Sequence, residues 1–167
     1  MVKRDGPGFE ILGSAFHTDG SFSEDIIVPV GGTRTPVNPG NTAEFRLQVP
    51  NPAGLKQRLE QKSLDNFVDT VEEACRHSQI APRDVAYAAV LHMKRSAHQT
   101  VLGRLGIPLE RSIYLSDYGH IGQIDTLLSL KLARDAGRLR DGDVCVLMAA
   151  GIGYVWNAMC VRYREAK

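Results

Sequence analysis

No apolar run in this sequence reaches the length of about 18 residues that a membrane-spanning helix needs. The opening stretch, MVKRDGPGFEILG, has no apolar core of signal-peptide length. Charge of one sign is also missing. Twenty Lys and Arg face nineteen Asp and Glu, for a formal net charge of +1. No basic field draws the chain to nucleic acid, and no charged tail is present. The expectation is a soluble, cytoplasmic protein that binds neither nucleic acid nor membrane. Cysteine is scarce: Cys75, Cys145 and Cys160 are three, an odd number, and far apart. Without a CxxC pair or metal-ligand spacing, neither a disulfide framework nor a zinc site is expected. All three lie in apolar patterns and read as buried, inert thiols. Several nucleotide and hydrolase motifs are absent as well. There is no Walker A sequence and no GxSxG elbow. The glycines of GIGYVW (151–156) lack a third partner and lead into a strand, so they make no dinucleotide fingerprint.

What is present suits one globular domain of 167 residues, 43% hydrophobic and 23% charged. FEILGSAFH (9–17) has strand character and runs into the turn signal TDGS. Residues 18–54 are rich in Gly, Pro, Asn and Thr, too long for a plain connection, and read as an excursion with binding or covering duties. A long helix is expected over about 53–78, because Leu64, Phe67, Val68, Val71, Ala74 and Cys75 recur on one face. DVAYAAVL (84–91) is an apolar run that suits a strand covered on both sides. A second helix is expected at about 94–105, with Ala97, Val101, Leu102 and Leu105 inward and Gly106 near its end. SIYL (112–115) reads as a short strand. A helix to about Ala136 follows, capped by Gly137. DVCVLMAA (143–150) and YVWNAMCVRY (154–163) read as two strands joined by the GIG turn. The expected architecture is α/β: a mixed five-stranded sheet with helices on both faces.

Polar groups gather at three loops that leave strand ends, where α/β sheets build their sites. His92 closes the apolar strand in AVLHMKRS. His120 lies in SDYGHIGQID (116–125), flanked by Gly119 and Gly122. Gly151 and Gly153 flank Ile152 after the next buried run. Each histidine precedes a helix N-terminus, whose partial positive charge disfavours imidazolium. A neutral ring there can donate an N–H to a carbonyl oxygen that gains charge during reaction, and the Ile152 N–H could face the same oxyanion. Lys94 and Arg95 stand where cations could hold a phosphate. His17, His77 and His98 read as surface or capping residues, with no metal-ligand spacing among them.

Taken in order, these segments resemble the C-terminal half of the 3-oxoacyl-(acyl-carrier-protein) synthase III family of the thiolase-like superfamily. FEILGSAFHTDGS is similar to that family's strand and His-Ser-Asp-Gly-type turn. AAVLHMKRSAHQTVLGRLGIP is similar to its strand, catalytic histidine and following helix. SIYLSDYGHIGQIDTLLSLKLARDAGRLRDGDVCVLMAAGIGYVWNAMCVRY is similar to its glycine-asparagine loop, helix, strand and glycine turn before an aromatic strand. The resemblance implies that His92 is the catalytic histidine and that Ile152 supplies an oxyanion-hole N–H between Gly151 and Gly153. His120 stands where the family has asparagine, so the set resembles the Cys-His-His of chain-elongating synthases. Leu91 and Met93-Lys94-Arg95 replace the family's proline and Gln-Ala-Asn around the histidine.

The resemblance further implies a C-terminal thiolase-like domain over 1–167, beginning inside its first strand region at MVKRDGPGFE. The nucleophilic cysteine belongs to an N-terminal half that these residues do not contain, so the chain alone is expected to be inactive. The implied reaction is a thioester Claisen condensation in fatty acid or polyketide biosynthesis, in which His92 and His120 hold the carbonyl of a malonyl-type extender and favour loss of carbon dioxide by stabilising the enolate. Acyl transfer to an alcohol or amine in secondary metabolism, or a non-catalytic partner subunit, are the alternatives. Implied partners are the missing half-domain, a second copy in a homodimer, and a coenzyme A or acyl-carrier-protein thioester. No metal and no redox cofactor is implied.

Overall fold

The computed structural model describes residues 6–165; the expected start at MVKRDGPGFE lies partly outside them. Among the described residues, four strands and three main helices follow in the order β1 (Gly8–Thr18), α1 (Pro52–His77), β2 (Tyr87–Val90), α2 (Arg95–Arg104), α3 (Asp125–Asp135), β3 (Val144–Gly151) and β4 (Val155–Arg164). The sheet runs β1-β4-β3-β2. β2 and β3 are parallel, whereas β4 is antiparallel to both β3 and β1. Among the described residues no helix is long and apolar enough to cross a membrane.

α1 forms where the heptad-like stripe predicts it. Its start is set by Asn51, whose side-chain oxygen accepts the Gly54 N–H at 2.9 Å, with Pro52 in the first turn, where a missing N–H costs nothing. Phe67, Val68, Val71, Ala74 and Cys75 are buried as the periodicity requires. They pack with Val101 and Leu102 of α2 and with Trp156, Ala158 and Cys160 of β4 in one core. The Trp156 indole N–H donates to Ser63 Oγ at 2.9 Å, so the largest buried side chain leaves no orphan donor. Cys75 and Cys160 meet there with their sulfurs 3.8 Å apart, and Cys145 is buried on the opposite side of the sheet. β1 approaches the end of α1 so closely that a Cβ at Gly13 would stand 2.7 Å from Ser78 Oγ. The ladder slips between Ile11 and Gly13 at that point.

The sheet has four strands rather than the expected five. SIYL runs beside the free edge of β2 but is held there by side chains. Ser112 Oγ donates to Ala88 O at 2.8 Å, and the Ile113 N–H donates to the Tyr87 hydroxyl at 3.2 Å. These bonds satisfy groups that a backbone ladder would otherwise pair, so the segment stays irregular. DVAYAAVL also shortens to Tyr87–Val90, since Pro82–Asp84 form a 3-10 turn. The excursion stays irregular apart from short turns and one bridge, Ile27 to Gln48.

α1 and α2 cover one sheet face; α3 covers the other only over β2 and β3. On that second face Ile11 and Phe16 of β1 are 59% and 76% exposed. α3, over β2 and β3, turns Leu127 outward, 58% exposed, and Ile124 precedes it in the same condition. These side chains are apolar and uncovered, whereas the 64–75 face of α1 is buried within the chain's own core. Leu102→Ala, at a fully buried site, is expected to cost about 3 kcal/mol, while Leu127→Ala changes little; urea melting of the two variants reads the difference.

Candidate active site

β2 and β3 are parallel, with Val90 opposite Met148. His92 therefore leaves β2 at the carboxyl edge where Ile152 leaves β3. The last link between the strands is the Leu91 N–H, donated to Met148 O at 3.0 Å. The Ile152 turn is held from β1: Asp19 and Tyr154 exchange both backbone hydrogen bonds, at 2.9 and 3.0 Å. Gly153 has a φ of +132°, a conformation open to glycine and poorly tolerated by other residues.

His120 comes to the same edge through Asp125, a residue to which no role was assigned from sequence. Asp125 opens α3 and is fully buried. Its Oδ2 accepts the His92 backbone N–H at 2.7 Å and contacts His120 Nδ1 at 2.6 Å; its Oδ1 accepts the Ile121 N–H at 2.8 Å. One carboxylate thus ties together the two loops that carry the histidines. Gly119 and Gly122, with φ of +68° and +80°, let the loop fold back around it. Burial alone would raise the Asp125 pKa, but the donors from His120, His92 and Ile121 outweigh it and hold the carboxyl below its usual range. The first turn of α3 adds a favourable partial positive charge.

Tyr114 holds the other side of the His92 loop. Its hydroxyl donates to Met93 O at 2.9 Å, and its ring lies 5.0 Å from that of His92. Arg95 stacks its guanidinium 4.1 Å above the same ring, so this cation is engaged rather than freely solvated. His98, expected at the surface, is buried edge-on against Tyr114 at 5.4 Å. Burial, followed by the nearby Arg95 and His92, lowers its pKa and keeps it neutral. His77, by contrast, sits exposed between Glu73 and the Ser14 carbonyl, in keeping with a capping role. His17 is exposed and leans toward Trp156.

Beside His92 opens a cavity of about 620 Å³ between α1 and α2. Leu55, Leu59 and Phe67 of α1 face Leu91, Met93 and Ala150 from the strand ends across it. Lys56 and Lys94 also line it, placing Lys94 at the groove beside the site. Among the described residues, no group of three His, Cys, Asp or Glu is arranged to hold a metal.

The depressed Asp125 pKa gives a signed expectation. The stabilisation from its ionised form is fully present above the ordinary carboxylate range, near pH 4, and is lost as pH falls through the lower folded value. Asp125→Ala is therefore expected to speed amide exchange at His92 and Ile121 at neutral pH, and the unmodified chain to show the same loosening only in acid. Hydrogen exchange resolved by residue measures both.

Comparisons with known proteins point to one family. Residues 75–163, which include both histidines and the Ile152 turn, match the model of the family described as 3-oxoacyl-[acyl-carrier-protein (ACP)] synthase III C terminal. The beta-ketoacyl-[acyl-carrier-protein] synthase III of Rhodobacter capsulatus is 26% identical over 154 residues, covering 92% of this chain and 44% of that protein. The enzyme of that name from Syntrophomonas wolfei is 26% identical over 164 residues, 95% of this chain and 46% of its own length. The chain spans less than half the length of these relatives. Among solved structures, the synthase III of Thermus thermophilus superposes with a TM-score of 0.74 at 25% identity, over 98% of this chain and 48% of that one. The α/β fold is thus the thiolase-like one that the resemblance implied, with one strand fewer in its sheet. By its matched residues and its fold, the chain belongs to the 3-oxoacyl-[acyl-carrier-protein] synthase III C-terminal family.

Proposed function

We propose that this chain is the histidine-bearing half of a thioester acyltransferase of the condensing-enzyme type. The observation that carries the reading is Asp125, which joins the loops of His92 and His120 at the sheet edge where the Ile152 turn also lies. In this reading an acyl group is carried as a thioester on a cysteine, and His92 with the Ile152 N–H holds the oxyanion that forms when it is attacked. The Claisen condensation implied by the resemblance is the parent reaction of this class. Which acceptor attacks depends on the protonation of His120.

The nucleophile has to come from outside these residues. Cys75 and Cys160 are buried against each other beneath α1, and Cys145 is buried under α3 with its thiol pushed up to about 12 by burial. None can leave its core to reach His92. The exposed apolar side chains Ile11 and Phe16 of β1, and Ile124 and Leu127 at α3, are suited to contact with the cysteine-bearing part. The groove beside His92 has the size of a ligand cavity and an apolar lining suited to an acyl or pantetheine chain. Lys56 and Lys94 there suit the phosphate of coenzyme A or of a carrier-protein arm.

Intact mass after treatment with acyl-coenzyme A tests the reading: an acyl adduct is expected only when the cysteine-bearing part is present. No adduct under either condition sinks it. In the acylating assembly, His92→Ala is expected to lower kcat about 10²- to 10³-fold with KM nearly unchanged, as for a group that acts on developing charge.

A further inference from the structure

The protonation of His120 is dictated by its neighbours. Asp125 already accepts a backbone N–H on each oxygen, from Ile121 and from His92, and backbone amides cannot reverse their role. Its carboxyl is held in the ionised form by those donors. The third contact, His120 Nδ1 at 2.6 Å, must then be a donor too. In the neutral ring the proton sits on Nδ1, and Nε2 carries a lone pair on a side chain 56% exposed. Such a nitrogen takes a proton; it cannot hydrogen-bond to an enolate oxygen as a donor while the ring is neutral.

His92 shows the opposite arrangement. Its Nδ1 is buried and has no hydrogen-bond partner. Buried donors without acceptors are rarer than under-used acceptors, so the proton belongs on Nε2. One ring thus offers an N–H and the other a base. The condensation implied by the resemblance asks both rings to donate to the enolate, and this site supplies one donor.

We propose that the acceptor of the acyl group is a hydroxyl or amine, with His120 as its general base and Asp125 as the positioning residue that sets the His120 tautomer. The inference rests on the acyl-transfer reading above. The acceptor's O–H or N–H proton passes to His120 Nε2 as its oxygen or nitrogen bonds to the thioester carbonyl carbon. His92 Nε2–H holds the oxyanion, the carbon–sulfur bond breaks, and the imidazolium, paired with Asp125, returns its proton to the departing thiolate. An ester or amide and a free thiol result; no carbon dioxide is released and no oxidant is required.

The test uses the acylating assembly, loaded from acyl-coenzyme A and divided between ethanolamine and malonyl-coenzyme A. Acyl-ethanolamine is expected to form faster than carbon dioxide is released. Nitrogen-15 NMR of the neutral His120 ring is expected to show the proton on Nδ1. Asp125→Asn is expected to lower the transfer kcat about 10⁴-fold, to leave KM near its original value, and to move the ring proton toward Nε2, a shift that a merely structural role would not cause. Malonyl-dependent carbon dioxide release with a carbon–carbon product, or an unmodified protein with its His120 proton on Nε2, overturns the acceptor assignment while acyl transfer stands. Failure of the assembly to take up an acyl group at all overturns both.

Discussion

A single buried carboxylate sets the geometry on which the site depends. Asp125 lies at the start of α3, out of contact with solvent, and holds the loop after β2 to the loop before α3. A buried ion is costly unless its oxygens are satisfied. Here three N–H groups and a helix N-terminus satisfy it, and each is held by an element that packs elsewhere. The charge is therefore stable only when both loops are in place. Loss of the Ile121 N–H would leave Oδ1 without a donor, and loss of either histidine contact would leave Oδ2 with one in place of two.

The remaining parts of the structure present that carboxylate with its partners. β2 is buried at every residue and enters the edge at a fixed height because its register with β3 is set by side chains on both faces. Tyr114 braces the loop after β2 by a hydrogen bond to Met93 O and by stacking with Arg95. That arrangement explains why SIYL is not a strand. Its Ser112 and Tyr114 side chains are committed to Ala88 and Met93, and its Ile113 N–H to the Tyr87 hydroxyl. The groove between α1 and α2 follows from the same packing, since Leu91 and Met93 flank His92 and line its wall.

Charge and burial divide the two sheet faces by task. The face under α1 and α2 is closed by Phe67, Val71, Leu102 and Trp156 and carries most of the core. The other is closed only over β2 and β3, by Leu130 and Ala133 of α3. Phe16 and Ile11 of β1 remain in solvent there. The curated relatives are more than twice the length that matches this chain.

Much of the fold was legible in the order of residues. The stripe from Leu64 to Cys75, the apolar runs at 84–91 and 143–150, the hairpin at 151–153 and the Gly137 cap all report burial within their own element, and periodicity encodes that directly. The histidines at 92 and 120 were legible as site candidates because strand ends and glycine-flanked loops are where α/β sheets place chemistry. Asp125 and Tyr114 were not legible as their partners. The Asp125 bond to His92 spans 33 positions, and nothing in either local pattern says that these loops meet. Nor can a sequence choose between the two nitrogens of an imidazole. That choice belongs to whichever acceptor the tertiary structure places against Nδ1, and here it is an ionised carboxylate.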